Sequence, residues 1–284
     1  MKVIDHIGGL IPTNGEVGIE VEVEGRNLNL DHDNKYWHAV HDGSLRGEAL
    51  EYVLKKPVPR SRVTDSLSSL KRTWVKYHSE IHDTERAGVH VHINMQKESI
   101  NTLGTFITLY YCFESLLMKF CGKQREGNHF CLRVKDAEGV LDHLLTALKC
   151  KNLNMLAVNQ LRYASLNLKA LTSYGSLEFR GMRSTENLSD IRIWVDLLLC
   201  LKDAAKRYGT PDQVPANFSL QGGEGLIREV FGDHADMLLG YDNAVDMVEQ
   251  DMRRTQEVAF CPYWQILDNR GPEKAHKIEE DIAW

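Results

Sequence analysis

Up to about residue 60 apolar and polar residues alternate with a period of two. That spacing sends successive side chains of a strand to opposite faces. The clearest stretch is Gly18 to Gly25, where Ile19, Val21 and Val23 point one way and Glu20, Glu22 and Glu24 the other. Glu48 to Lys55 reads as a second strand, closed by Pro57 and Pro59, which cannot donate to a ladder. The period then changes. Val63, Leu67, Leu70, Trp74 and Tyr77 recur at helical spacing and predict an amphipathic helix over about 62–82. Ala87 to Met95 returns to alternation, with Val89, Val91 and Ile93 on one face and His90, His92 and Asn94 on the other. Ile100, Leu103, Phe106, Ile107, Tyr110, Phe113 and Leu117 form the stripe of a second helix, with Ser99 as its N-cap.

Residues 122–135 read as a loop, and Asp136 to Leu148 as another helix. Tyr163 to Leu171 and Ser176 to Met182 read as strands around a turn at Ser173–Gly175. Asn187 is the expected N-cap of a long helix reaching about 207, with Asp190 in the capping-box position. Pro211 and Pro215 are expected to break the chain, and 223–258 to be helical with interruptions near Gly232 and Gly240. The tail beyond Pro262 is polar, with Trp264 and Trp284 as anchors. This order predicts an α+β fold with a mainly antiparallel sheet. The expected division is a domain over 1–210 and a helical extension over 211–284 packed on it.

Composition narrows the classes. At 284 residues and 43% apolar content the chain can bury a core without disulfides or structural metals. The formal net charge of −6 gives no broad basic footprint for nucleic acid. Cys112, Cys121, Cys131, Cys150, Cys200 and Cys261 include no C-x-x-C pair, so buried free thiols and a reducing cytoplasm are expected. MKVIDHIGGLIPTNGE holds no signal-peptide run, and no stretch is long enough for a membrane span.

The candidate chemistry lies on the polar faces of three strands. Glu20, Glu22 and Glu24 would stand roughly 7 Å apart in succession, where like charges repel unless water or a cation separates them. The plain alternative is a solvated outer face. His90 and His92 share a face and could hold a metal or contact phosphate; a structural pair is the alternative. Glu178 and Arg180 flank the apolar Phe179 and offer a hard oxygen ligand and a phosphate fork, or an ordinary salt-bridged strand. Together they gather carboxylates, imidazoles and a guanidinium on one face. Such a cluster is costly to bury without partners, and divalent cations remove that cost.

In order along the chain, G-I-E-V-E, H-D-G-S-L-x5-E-Y-V, G-V-H-V-H-I-N, R-Y-x3-N-L and G-S-L-E-F-R lie within a stretch from Gly18 to Trp194. This series resembles the amidoligase family of the glutamine synthetase and glutamate–cysteine ligase superfamily. The resemblance implies a curved, mainly antiparallel glutamine-synthetase-like sheet with helices on its outer face. It implies ATP and Mg²⁺ (or Mn²⁺) on the concave face, with Glu20, Glu22, Glu51, His90, Glu178 and Asp42 as metal ligands. It also implies Arg180 on phosphate, His92 nearer the nucleotide, and Arg162 and Asn167 facing substrate or phosphate. The Asp42–Ser44 stretch reads equally as a turn.

The function implied is an ATP-dependent ligase that joins a small-molecule or peptide carboxylate to an amine through an acyl phosphate. Three rivals stand beside it. One is a phosphoryl-transfer enzyme on the same scaffold, such as a guanidino kinase. Another is a metal-dependent hydrolase built on His90-x-His92. The third is a non-catalytic protein that binds a nucleotide or a partner.

Overall fold

The computed structural model describes residues 1–269 apart from positions 9, 11, 32 and 138, so the expected anchor Trp284 lies outside the described residues. Among these, seven strands form one open sheet: β1 (Val17–Arg26), β2 (Trp37–Val40), β3 (Ala49–Leu54), β4 (Glu80–His82), β5 (Gly88–Asn94), β6 (Leu166–Asn167) and β7 (Ser176–Arg183). Their order is β2-β3-β1-β5-β7-β6, with β4 also on β1, and every pairing is antiparallel. The helices are α1 (Val3–His6), α2 (Val63–Tyr77), α3 (Ile100–Cys121), α4 (Val140–Lys149), α5 (Lys169–Tyr174), α6 (Leu188–Tyr208), α7 (Gln213–Phe231), α8 (Ala235–Leu239), α9 (Ala244–Ala259) and α10 (Tyr263–Asn269). The class is α+β, as the pattern predicts.

The apolar set of the alternation forms the buried side of the sheet: Ile19, Val21, Val23, Val89, Val91, Ile93, Leu177 and Phe179. Helices α3 and α6 pack there, and the Phe179 ring lies 5.3 Å from Phe106 and 4.9 Å from Tyr110. Helix α3 starts at Ser99, whose side chain accepts from Thr102 N. It is buried on almost every side, not on one stripe, because α7 and α9 cover its far face. Phe113 meets Phe231 at 4.8 Å, and Asp251 accepts from both Ser115 N and Ser115 Oγ. A helix apolar all round belongs between two layers.

Four boundaries differ from the sequence expectation. Helix α2 ends at Tyr77, not near 82, because His78 takes a left-handed conformation at φ 52° and turns the chain back. Glu80–His82 then pairs with Glu24–Arg26. Gly25 permits this approach, since a Cβ there would lie 1.9 Å from the Glu80 carbonyl oxygen. The expected strand over 163–171 shrinks to Leu166–Asn167, between a 3-10 turn over Asn159–Tyr163 and α5. Leu168 and Leu171 are both buried at helical spacing, which overrides the alternation. Helix α4 begins at Val140, after Gly139 at φ 86°. Helix α7 begins at Gln213 and carries Pro215 in its first turn, where a missing N–H costs nothing; its kink is at Gly222.

All six cysteines are free; Cys112, Cys121 and Cys131 are buried, whereas Cys150 is exposed. No helix among the described residues is long and apolar enough to cross a membrane.

Candidate active site

Strand alternation sets Glu20 and Glu22 (β1), Glu51 (β3), His90 and His92 (β5), and Glu178 and Arg180 (β7) on the sheet face away from α3 and α6. Register then brings them together. Glu20 faces His90, Glu22 faces Glu51, and His92 faces Glu178. One irregularity matters. Val89 pairs with Met182 and Val91 with Phe179, so His90 alone stands opposite both Arg180 and Gly181. This bulge lets Phe179 and Met182 both enter the core while Arg180 stays on the polar face.

The bulge frees two carbonyls, and Arg125 takes them. Its guanidinium donates to the carbonyl oxygens of Arg180 (2.9 Å) and Gly181 (3.3 Å), and to those of Glu85 and Ala87. Arg125 is 1% exposed. The sequence gives no periodic signal for it, because it ends a single 3-10 turn, Lys123–Arg125, just after α3. Glu114, within the apolar stripe of α3, is equally unannounced. It accepts from Ser165 Oγ and from Val134 N at 2.8 Å. Ser165 in turn receives the Arg180 N–H on its carbonyl oxygen (2.8 Å).

Two groups of potential ligands share one imidazole. Glu20, His90 and Glu178 can bring one atom each within 4.8 Å of one another, and so can Glu22, Glu51 and His90. His90 Nδ1 lies 3.1 Å from Glu20 Oε2 and 3.8 Å from Glu178, and its Nε2 lies 3.7 Å from Glu22 Oε1. Glu178 is held from both sides: Asn167 Nδ2 donates to Oε2 and Arg180 Nη1 to Oε1, each at 2.6 Å. Glu22 Oε2 accepts from Gly88 N at 2.9 Å.

Electrostatics follow from this crowding. Burial alone would raise the Glu20 pKa, but His90 and His92 hold it well below the usual carboxylate range. The Glu51 carboxyl is pushed up to about 7, first by burial and then by the charges of Glu20 and Glu22. A carboxyl raised by burial and by like charges marks a crowding of carboxylates. His92 Nε2 is buried and lies 3.2 Å from Glu20 Oε1, an ion-pair distance without hydrogen-bond geometry. Hard carboxylate oxygens with one or two imidazoles therefore fit a divalent cation of the Mg²⁺ or Mn²⁺ type.

The face opens onto two cavities. One, of about 290 Å³, is lined by Glu20, His92, Lys55, Pro57, Tyr174 and Ser176 among others; His92 Nδ1 lies 3.0 Å from Ser176 Oγ. The other, of about 280 Å³, is lined by Glu22, His90, Arg86, Arg125, Arg162 and Arg180 together with Phe130 and Tyr163. Successive outward residues of β1 thus look into different cavities.

The remaining expected residues fall as follows. Asp42 lines the arginine-rich cavity outside both ligand groups, and its carboxylate accepts from Ser44 N at 2.7 Å, so the turn reading describes its bonding. Asn167 is buried against Glu178 and orients that carboxylate. Arg162 lies in the arginine-rich cavity, its guanidinium 4.4 Å from the Tyr163 ring centre. Glu24 leaves the cluster to accept the Arg46 N–H at 2.8 Å.

A family model whose description reads "Putative amidoligase enzyme" matches residues 54–202, just over half of the 284-residue chain. The match takes in His90, Arg162, Asn167, Glu178 and Arg180 and starts after Glu20, Glu22, Asp42 and Glu51. No curated protein matches the chain.

Proposed function

Because the chain belongs to the amidoligase family, we propose that it is an ATP- and Mg²⁺- (or Mn²⁺-) dependent ligase joining a carboxylate to an amine through an acyl phosphate. The carrying observation is the pair of carboxylate–imidazole groups that share His90 between two cavities. On this reading the sheet is the glutamine-synthetase-like one, and its polar face is the catalytic face.

Glu20 with Glu178, and Glu22 with Glu51, would hold the ions, and His90 would give its one free nitrogen to one group or the other. Such ions supply charge neutralisation to a polyphosphate and to the oxygens of a transferring phosphoryl group. The cavity beside His92 and Tyr174 then receives the nucleotide, and the arginine-rich cavity receives the carboxylate. A carboxylate oxygen attacks the γ-phosphorus; the bond to the β-phosphate oxygen breaks and ADP leaves. The amine attacks the acyl carbon, phosphate departs, and the nitrogen gives up a proton to solvent.

The chain's own groups have separable tasks. Arg180 stays cationic beside Glu178 and stabilises charge on the transferring oxygens. Asn167 and Arg180 fix the Glu178 carboxylate from two sides. His92 faces the nucleotide cavity, and Arg162 the carboxylate.

The test is ATP turnover across a panel of carboxylates and amines in Mg²⁺ and Mn²⁺. Mass spectrometry would follow ADP, phosphate and a product lighter than its precursors by one water. The expected result is a metal-dependent amide, reduced on the order of 10²-fold or more in Glu178→Gln. ADP without amide would point to the kinase, and an unimpaired Glu178→Gln would remove that residue from the site.

A further inference from the structure

The arginine-rich cavity holds more positive charge than the transfer of one phosphoryl group uses. Four of its lining residues are arginines: Arg86, Arg125, Arg162 and Arg180. Arg180 is paired with Glu178 at 2.6 Å, and Arg125 is spent on backbone carbonyls. Arg86 and Arg162 are different. Neither forms an ion pair with a carboxylate among the described residues; Arg86 has one long bond to the Ser44 carbonyl oxygen (3.4 Å), and Arg162 bonds the Tyr163 hydroxyl.

What holds these two arginines is a pair of rings. Arg86 stands over Phe130, 5.8 Å from its centre, and Arg162 over Tyr163 at 4.4 Å. The rings themselves meet edge to face at 6.3 Å. Stacking orients a guanidinium without neutralising it, so its donors stay available to an anion. The carboxylates on the same cavity are turned elsewhere: Glu22 belongs to a ligand group and accepts from Gly88 N, and Asp42 accepts from Ser44 N, so neither is paired with Arg86 or Arg162. In a chain of net charge −6, two ring-mounted cations without carboxylate partners on one small cavity leave their donors to an anion.

We infer that the carboxylate substrate is a small dianion, whose second anionic group is bound between Arg86 and Arg162 while its first is turned toward the ligand groups. The assignment of this cavity to the carboxylate rests on the ligase reading above. A cavity of about 280 Å³ suits a compact acid. The second group can be a carboxylate or a phosphonate-like oxyanion, since a guanidinium fork accepts either.

The experiment is calorimetric titration of the full chain with dicarboxylates from malonate to adipate and phosphonocarboxylates of the same lengths. Each is compared with its matched monocarboxylate, with and without Mg²⁺ and a non-hydrolysable ATP analogue. At least one dianion should bind about 10-fold or more tighter than its monoanion, a difference set by one charge-assisted fork. Arg86→Gln and Arg162→Gln should each abolish that preference, while Arg86→Gln keeps the affinity of wild type for the Mg²⁺-bound analogue. Which series wins distinguishes the two kinds of second group. Equal binding of dianions and monoanions, or a preference that survives both substitutions, would overturn the inference. If the nucleotide analogue fails to bind wild type, the ligase reading falls, and the arginine-dependent preference still decides the receptor on its own.

Discussion

At the scale of single residues, Glu114 shows how a buried carboxyl can set pH behaviour away from the reacting groups. Burial outweighs its bonds from Ser165 and Val134 and pushes its pKa up to about 8. In the unfolded chain the group titrates near its ordinary value of 4.5. Between these two values the unfolded state ionises while the folded state keeps its proton, so stability falls as pH rises through the window and levels off above it. The loss is on the order of 5 kcal/mol for a shift of this size. Glu114→Gln keeps an acceptor for Val134 N and sets an amide N–H against Ser165 Oγ, which can accept it, and should flatten the slope of chemical denaturation stability between about pH 5 and 8. An unchanged slope would mean that Glu114 is already ionised in the folded protein. Nothing in the sequence marks this residue, because one Glu in an apolar helix has no periodicity of its own. The outward residues of β1, β5 and β7 were legible for the opposite reason: alternation assigns each one a face before any contact is known.

At the scale of elements, the bulge in β7 is the feature that alternation does not foresee. A strict period of two would set Gly181 inward and Met182 outward, whereas Met182 is fully buried. The slip costs two ladder carbonyls, which the Arg125 guanidinium satisfies. Arg125→Met would leave these oxygens, and those of Glu85 and Ala87, without their donor. The expected destabilisation is roughly 3–5 kcal/mol, a drop in Tm on the order of 10 °C for a chain of this size. A melting temperature within a degree or two of wild type would show that water replaces the guanidinium. Short elements escaped the sequence for a related reason. Strand β4 has three residues, partly or fully exposed, and Tyr77 and Ile81 sit at helical spacing across the true end of α2. Their structure is decided by the left-handed His78 and by the close approach that Gly25 allows, and neither leaves a hydrophobic pattern.

At the scale of the whole molecule, α3 binds the sheet to the outer helices, and the helices after residue 211 finish its burial. Removing everything beyond Thr210 would strip Phe231 from Phe113 and Asp251 from Ser115. That truncation should yield insoluble or unfolded protein by circular dichroism, whereas a soluble fragment with a cooperative melt would make 1–210 independent. The two-residue repeat of β1 has a further consequence at this scale. Glu20 and Glu22 are one repeat, or about 7 Å, apart, and that repeat is also the step from one cavity to the other. Insertions and deletions in this strand are therefore read in phase. A shift by one residue exchanges the acidic side chains for Ile19 and Val21, and a shift by two hands each carboxylate to its neighbour's compartment. Length changes that preserve the site therefore belong in the connecting segments, and changes within the strand should be substitutions.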